Sequence, residues 1–248
     1  MQQQVQSATR AFSGRSGLMC RPDDITAATA ILFQAPSAVP ANSAAADEWD
    51  AHWQHQRASI FGALCSWYRR NVRAYSVAHY VEKRFPASGV FAECGSGSSE
   101  TSCRINSRQR KLIAVDFSRE ALNRAARIPQ IAECVQADIR QLPFDNNSLD
   151  GIWNLGVMEH FEEAAQFQVL SEFHRVLKPG GQMLLWWPPH HGLDRTLLGW
   201  IGWPFPSEPG RVYAAQARDR IMKCGFTEVT IDFPMCDLWT ELVISARA

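Results

Sequence analysis

Glu93, Asp116 and Asp138 each stand at or just past the end of a short apolar run, and after the first of them the chain reads Gly95-Ser96-Gly97-Ser98. Carboxylates accept hydrogen bonds from hydroxyl pairs and attract cations. Glycine permits left-handed dihedrals and lets a ligand lie against the main chain. The implied chemistry is recognition of a small nucleotide-like molecule where the backbone is bare. Three of the histidines further along are candidates for chemistry. His160, in GVMEHF, is a candidate general base because imidazole titrates near neutrality; the structural alternative is that Glu159 and His160 begin a helix. His190 and His191, in WWPPHHG, are candidates for orienting an acceptor, or are solvated loop side chains.

These residues need elements to bring them together. After Pro86, short apolar runs alternate with helical stretches. The strands are VFAEC (90–94), KLIAVD (111–116), ECVQ (133–136), GIWNL (151–155) and QMLLWW (182–187), with SREALNRAAR and EEAAQFQVLSEFHRVL as helices between them. Such alternation predicts a parallel sheet covered by helices on both faces, an α/β fold. A helix near 212–224 and the runs TEVTIDF and ELVISARA add two closing strands. In an open parallel sheet the ligand crevice lies beyond the carboxyl ends of the strands, where strand order reverses. Glu93 and the glycine turn into the next helix fall there.

Upstream, residues 1–46 are rich in Gln, Ala, Ser and Pro without a sustained period and read as a poorly ordered tail. Residues 47–86 are helical in pattern, with Trp49 and Trp53 one turn apart, and are expected to pack on the domain at 87–248. The cluster Arg69, Arg70 and Arg73 in SWYRRNVR reads as a solvated helix face, with an anion-binding role as the alternative. Residues 186–211 form a Trp-rich cover in which Trp186, Trp200 and Trp203, with His190 and His191, are the candidates for contacting a flat or greasy acceptor. Packing on the N-terminal helices and contact with a membrane interface are the other readings of that cover.

Composition narrows the function classes. Lys plus Arg and Asp plus Glu both number 25, so no net field draws the chain to nucleic acid or an anionic membrane. Seven cysteines without a C-x-x-C pair argue against a disulfide framework and a zinc site. No run reaches the ~20 apolar residues of a membrane span, so stable membrane insertion is not expected. Cytoplasmic location is the expectation. Arg10, Arg15 and Arg21, with no acid in residues 1–22, keep organellar targeting as an alternative. No feature speaks to oligomeric state.

Two ligand readings compete at the glycine loop. A dinucleotide fingerprint G-x-G-x-x-G wants glycine where Glu100 stands. S-adenosylmethionine, carrying a sulfonium and an ammonium, suits an acid at the end of the first strand. Asp116 follows Glu93 at close to the ~20-residue offset at which an acid meets ribose hydroxyls, and Asp138 with Ile139 suits an adenine amino group and ring.

The pieces VFAECGSGSSETS, LIAVDFSREAL, VQADIRQLPFDNNSLDGIWNLGVMEHF and FHRVLKPGGQMLLWWPP resemble the class I S-adenosylmethionine-dependent methyltransferases, in particular those acting on small molecules. The resemblance implies a Rossmann-like, seven-stranded, mostly parallel sheet with an antiparallel last strand. It also implies that Glu93, Gly95 and Gly97 contact the methionine part of S-adenosyl-L-methionine, Asp116 the ribose, and Asp138 with Ile139 the adenine, with Phe117 also among the cofactor-binding residues. Asn154, Leu155 and Gly156 would line the transferring methyl. One departure is Ser99, where the family's loop usually has a third glycine. The implied activity is methyl transfer to a small, partly apolar or aromatic acceptor. A non-catalytic relative that binds the cofactor or a partner is the alternative.

Overall fold

The computed structural model describes residues 43–56, 60–189, 210–234 and 241–248; all belong to one compact unit, Gln34–Ala248. The expectations for residues 1–42, and for His190, His191, Trp200 and Trp203, lie outside the described residues. Helix α1 is Ser43–Gln56. A second helical run comprises α2 (Ile60–Tyr68), a π-helical turn (Arg69–Arg73) and α3 (Ala74–Arg84), joined without interruption. The widened turn resets which side chains face inward, and such bulges often sit at functional sites.

Strands β1 (Gly89–Cys94), β2 (Arg110–Asp116), β3 (Ile131–Gln136), β4 (Leu149–Leu155) and β5 (Leu177–Trp187) alternate with α4 (Arg119–Ala125, after β2) and α5 (Glu163–Val176, after β4); α6 (Ala214–Lys223), β6 (Thr227–Asp232) and β7 (Leu242–Arg247) follow. The sheet order is β3-β2-β1-β4-β5-β7-β6. Strands β1 to β5 pair in parallel. The antiparallel strand is β7, inserted between β5 and β6, so β6 forms the edge and runs with the other five. Strand order reverses between β1 and β4, which puts the crevice at their carboxyl ends.

Two expectations need correction. The strand at QMLLWW begins earlier, at Leu177; Leu149 pairs with Leu177 and Gly151 with Gln182, so KPGG is accommodated as a bulge within β5. After the glycine loop the expected helix is only a 3₁₀ turn, Glu100–Ser102. The hydroxyls of Thr101 and Ser102 in that turn are bonded to Glu93. Just past it, Ile105 packs with Val77 and Val81 of α3.

The period-two alternation of strands sorts the core into two layers. Met183, Leu185 and Trp187 pack with Val169, Leu170 and Phe173 of α5 and with Ala217 and Ile221 of α6. Leu184 and Trp186 point the other way, to Val77, Tyr80 and Val81 of α3 with Phe91 and Trp153. Trp186 is therefore a core residue, fully buried and edge-on to Tyr80. The register that makes Leu184 a core residue puts Trp186, two residues on, on the same face, and it does not line the cavity at the carboxyl ends of the strands. Truncating a ring so buried costs about 3–5 kcal/mol.

Candidate functional site

A cavity of about 350 Å³ opens at the carboxyl ends of β1, β2 and β4. Its floor is made of strand ends. Glu93, 2% exposed, accepts from Ser102 Oγ at 2.9 Å and Thr101 Oγ1 at 3.3 Å. Burial pushes its carboxyl up to about 7, with the surrounding side-chain donors pulling the other way. Asp116, 6% exposed, accepts from the Gly97 N–H at 2.8 Å and the Ser118 N–H at 2.9 Å. Burial raises it to about 6 against those backbone donors. Desolvation thus raises both acids above the ordinary carboxylate range, and a cationic or hydroxyl-rich ligand would favour their charged forms.

The loop between them is tight. Gly95 and Ser96 both donate their N–H to Val115 O, at 2.8 and 3.0 Å. Gly95, Gly97 and Ser99 all have positive φ, 70°, 50° and 49°, so serine here accepts a left-handed conformation that glycine takes freely. The bareness of the glycines is used partly by the chain itself. A Cβ at Gly95 would stand 2.6 Å from Val157 Cγ2, and one at Gly97 2.6 Å from Trp53 Cζ2. Ser99 is buried, its hydroxyl is among the donors that lower the Glu93 carboxyl, and it lines the cavity.

Phe117, Asp138, Ile139, Leu155, Gly156 and His160 also line the cavity. Asp138 is engaged by its neighbour Arg140, whose Nε lies 3.0 Å from both carboxylate oxygens, so only its remaining lone pairs are open to a ligand. Asn154 is fully buried behind the wall, its Nδ2 donating to Cys94 O at 2.6 Å. It ties β4 to β1 and is absent from the lining, unlike the expectation that it faces the methyl. His160, 9% exposed, lies in a 3₁₀ turn, Met158–His160, not a helix, and its ring meets Trp49 edge-on at 5.4 Å.

The roof was not foreseen. Trp49, His52 and Trp53 of α1 and Arg69 and Arg73 of the π turn close over the floor, joined by Glu159 and Glu241. Helix α1 is fastened by Asp50, which accepts from Ser118 Oγ and the Glu120 N–H at the start of α4. The guanidiniums of Arg69 and Arg124 lie over the Trp53 ring at 5.9 and 5.5 Å. Only Arg70 of the arginine cluster is exposed. Arg69 and Arg70 bind Glu100 at 2.8 and 3.1 Å, and Arg73 pairs with the buried Glu241. Burial works against the charge of Glu100, but Ser66 and the two arginines outweigh it and hold the carboxyl below its ordinary value. Trp49–Trp53 and Arg69–Arg73 both have one-turn spacing, a signal that these pairs share a face. Nothing local marks Glu241.

Residues 92–185 match the methyltransferase domain family. A probable S-adenosylmethionine-dependent methyltransferase of Mycolicibacterium smegmatis is 31% identical over 121 residues, 48% of this chain and 44% of that one. The match spans 37% to 44% of this and two similar relatives. Among solved structures, a possible histamine N-methyltransferase of Thermotoga maritima aligns with TM-score 0.59 at 16% identity, over 78% of this chain and 98% of that one. Phosphoethanolamine N-methyltransferase 2 of Haemonchus contortus, solved in complex with S-adenosyl-L-methionine, aligns with TM-score 0.52 at 15% identity, over 70% and 52%. At these identities the likeness speaks to the fold. Over residues 92–185 the chain is thus similar to the S-adenosylmethionine-dependent methyltransferases, and its fold is the one these solved structures share. S-adenosyl-L-methionine is the cofactor of that class.

Proposed function

We propose that this chain transfers the methyl group of S-adenosylmethionine to a small, partly apolar or aromatic acceptor, working in the cytoplasm. The observation that carries the reading is the convergence of two desolvated carboxylates, Glu93 and Asp116, with Phe117, Ile139, Leu155 and Gly156 on one cavity. The donor set fits the cofactor. Glu93 offers a carboxylate to a ligand bearing sulfonium and ammonium charges. Asp116 keeps lone pairs beyond those used by Gly97 and Ser118 for ribose hydroxyls. Phe117 and Ile139 provide apolar surface for a flat base, and Asp138 accepts from an amino group at the positions Arg140 leaves.

The bound cofactor supplies a methyl carbon already activated for in-line displacement. The protein's task is then to hold the acceptor at attack distance and exclude water. Trp49, Trp53 and His52 close the site against solvent, and Trp49 replaces Trp186 as the aromatic wall nearest the candidate base. His160 takes the acceptor's proton where the acceptor has one to lose, its ring steadied by the Trp49 edge. His190, His191, Trp200 and Trp203, outside the described residues, stay as sequence candidates for acceptor contacts.

Calorimetric titration with S-adenosylmethionine, with a nicotinamide dinucleotide as control, tests the cofactor. Saturable binding of the sulfonium compound alone is expected. A screen of acceptors with labelled methyl then tests turnover. His160→Ala should lower turnover more than cofactor affinity; normal turnover per folded molecule with a lower melting temperature assigns His160 a packing role instead. Cofactor binding without labelled product from any acceptor would favour the non-catalytic alternative.

A further inference from the structure

The helical run Ile60–Arg84 has two working faces. Its inner face brings Arg69 and Arg73 to the cavity. Its outer face exposes Leu64, Trp67 and Tyr75, at 59%, 58% and 59%, with exposed Asn71 between the last two. Spacings of three, four and four residues align them along one side. A single exposed apolar side chain needs no explanation, whereas a row that includes tryptophan beside arginines is the pattern of a helix lying at a lipid interface.

The arginines are organised around a second cavity of about 200 Å³, lined by Arg70, Arg124, Arg127, Ser98, Glu100 and Glu120. Its carboxylates are already engaged, Glu100 by Arg69 and Arg70 and Glu120 by Arg124. Arg70 uses only Nε for that pair, and Arg127 forms no ion pair among the described residues, so guanidinium N–H groups remain for another anion. Arg104 connects this cavity to the apolar row: its guanidinium stacks over Tyr75 at 4.1 Å, and its Nε donates to Arg70 O at 3.1 Å.

We propose that this face docks on an anionic lipid surface, with Leu64, Trp67 and Tyr75 entering the headgroup boundary and the arginine-lined cavity receiving a lipid phosphate. Arg70, Arg104, Arg124 and Arg127 against Glu100 and Glu120 give the face a positive balance that the neutral chain as a whole lacks. Three exposed apolar side chains fall far short of the ~800 Å² per partner of a stable protein interface. They suffice for shallow insertion, where basic residues add attraction to anionic headgroups. No helix among the described residues is long and apolar enough to cross a membrane, so the contact is peripheral. Docking does not depend on the methyl-transfer reading. Where both hold, the same helix sets the cavity beside the lipid phase from which an apolar acceptor would arrive.

Co-sedimentation of the full chain with phosphatidylcholine vesicles, with and without phosphatidylglycerol, tests this. Binding is expected only to the anionic vesicles, weakening with salt, and reduced about tenfold in Trp67→Ser and in Arg127→Glu. Unchanged melting temperatures would show that both variants fold. Absence of binding to anionic vesicles, or equal binding by the variants, would overturn the proposal. So would binding of inorganic phosphate without vesicle binding, which assigns the cavity to free phosphate. Self-association abolished by Trp67→Ser, without vesicle binding, would overturn it in favour of a second copy of the chain.

Discussion

The floor and the roof of the cavity are built on different principles. The floor rests on strand ends and backbone: Glu93, Asp116 and the glycine loop are fixed by sheet register and by main-chain bonds such as Gly97 N–H to Asp116. The roof is assembled from side chains meeting across long stretches of chain, through Asp50 with Ser118, Arg69 with Glu100, and Arg73 with Glu241. The floor is thus set once the sheet forms, whereas the roof depends on a few charged and aromatic contacts that single substitutions can release.

The sharpest way to break this division is Arg73→Met. Removing the cation leaves Glu241 charged in a buried position, and a loss of about 3–5 kcal/mol in unfolding free energy is expected. Chemical denaturation measures it, and pairing with Glu241→Gln should restore part of the loss; no recovery would mean Arg73 acts by packing alone. Asp116→Ala attacks the floor instead. It should weaken cofactor binding by about 1–3 kcal/mol through lost charge-assisted bonds, and unchanged affinity in a calorimeter would remove Asp116 from the ribose contact.

Gly97→Ala tests where floor and roof touch. The left-handed dihedral costs about 1–2 kcal/mol, and the approach to Trp53 adds to it. In a Trp53→Ala background the steric part should vanish and the dihedral part persist, so additive melting shifts would refute the contact. The smallest effect is the pH response. Cofactor binding that needs ionised carboxylates should weaken about twofold between pH 8 and pH 7 as Glu93, near 7, takes up a proton, and further as Asp116 follows near 6. The ligand-free fold shows the opposite sign. Both folded-state values are raised, so these acids disfavour the fold increasingly as pH rises from ordinary carboxylate values toward 6 and 7. Flat affinity across that range would mean the acids do not meet the ligand's charge.

The difference in construction also explains what was legible in the sequence. The strands were visible because a parallel sheet buried on both faces writes short apolar runs, and Glu93, Asp116 and Ile139 were readable because strand ends announce them. The side that Trp186 faces depended on a register shared with Leu184, and WWPP alone does not contain that register. The arginine cluster looked solvated because its partners, Glu100 and Glu241, lie far along the chain. The helix expected after the loop is only a 3₁₀ turn, whose Thr101 and Ser102 bond Glu93, a partner eight and nine residues back that no local pattern marks.

The Arg73–Glu241 pair joins residues 168 positions apart. Closing so long a loop carries a larger entropic cost than closing a shorter one. During synthesis the floor can therefore exist, with its loop and both acids, while the latch over it still waits for the residue that leads into the last strand. A ligand that requires the closed cavity would be held only by chains that have been made through Glu241 and have placed β7, so cofactor retention would mark the finished molecule from the partial one.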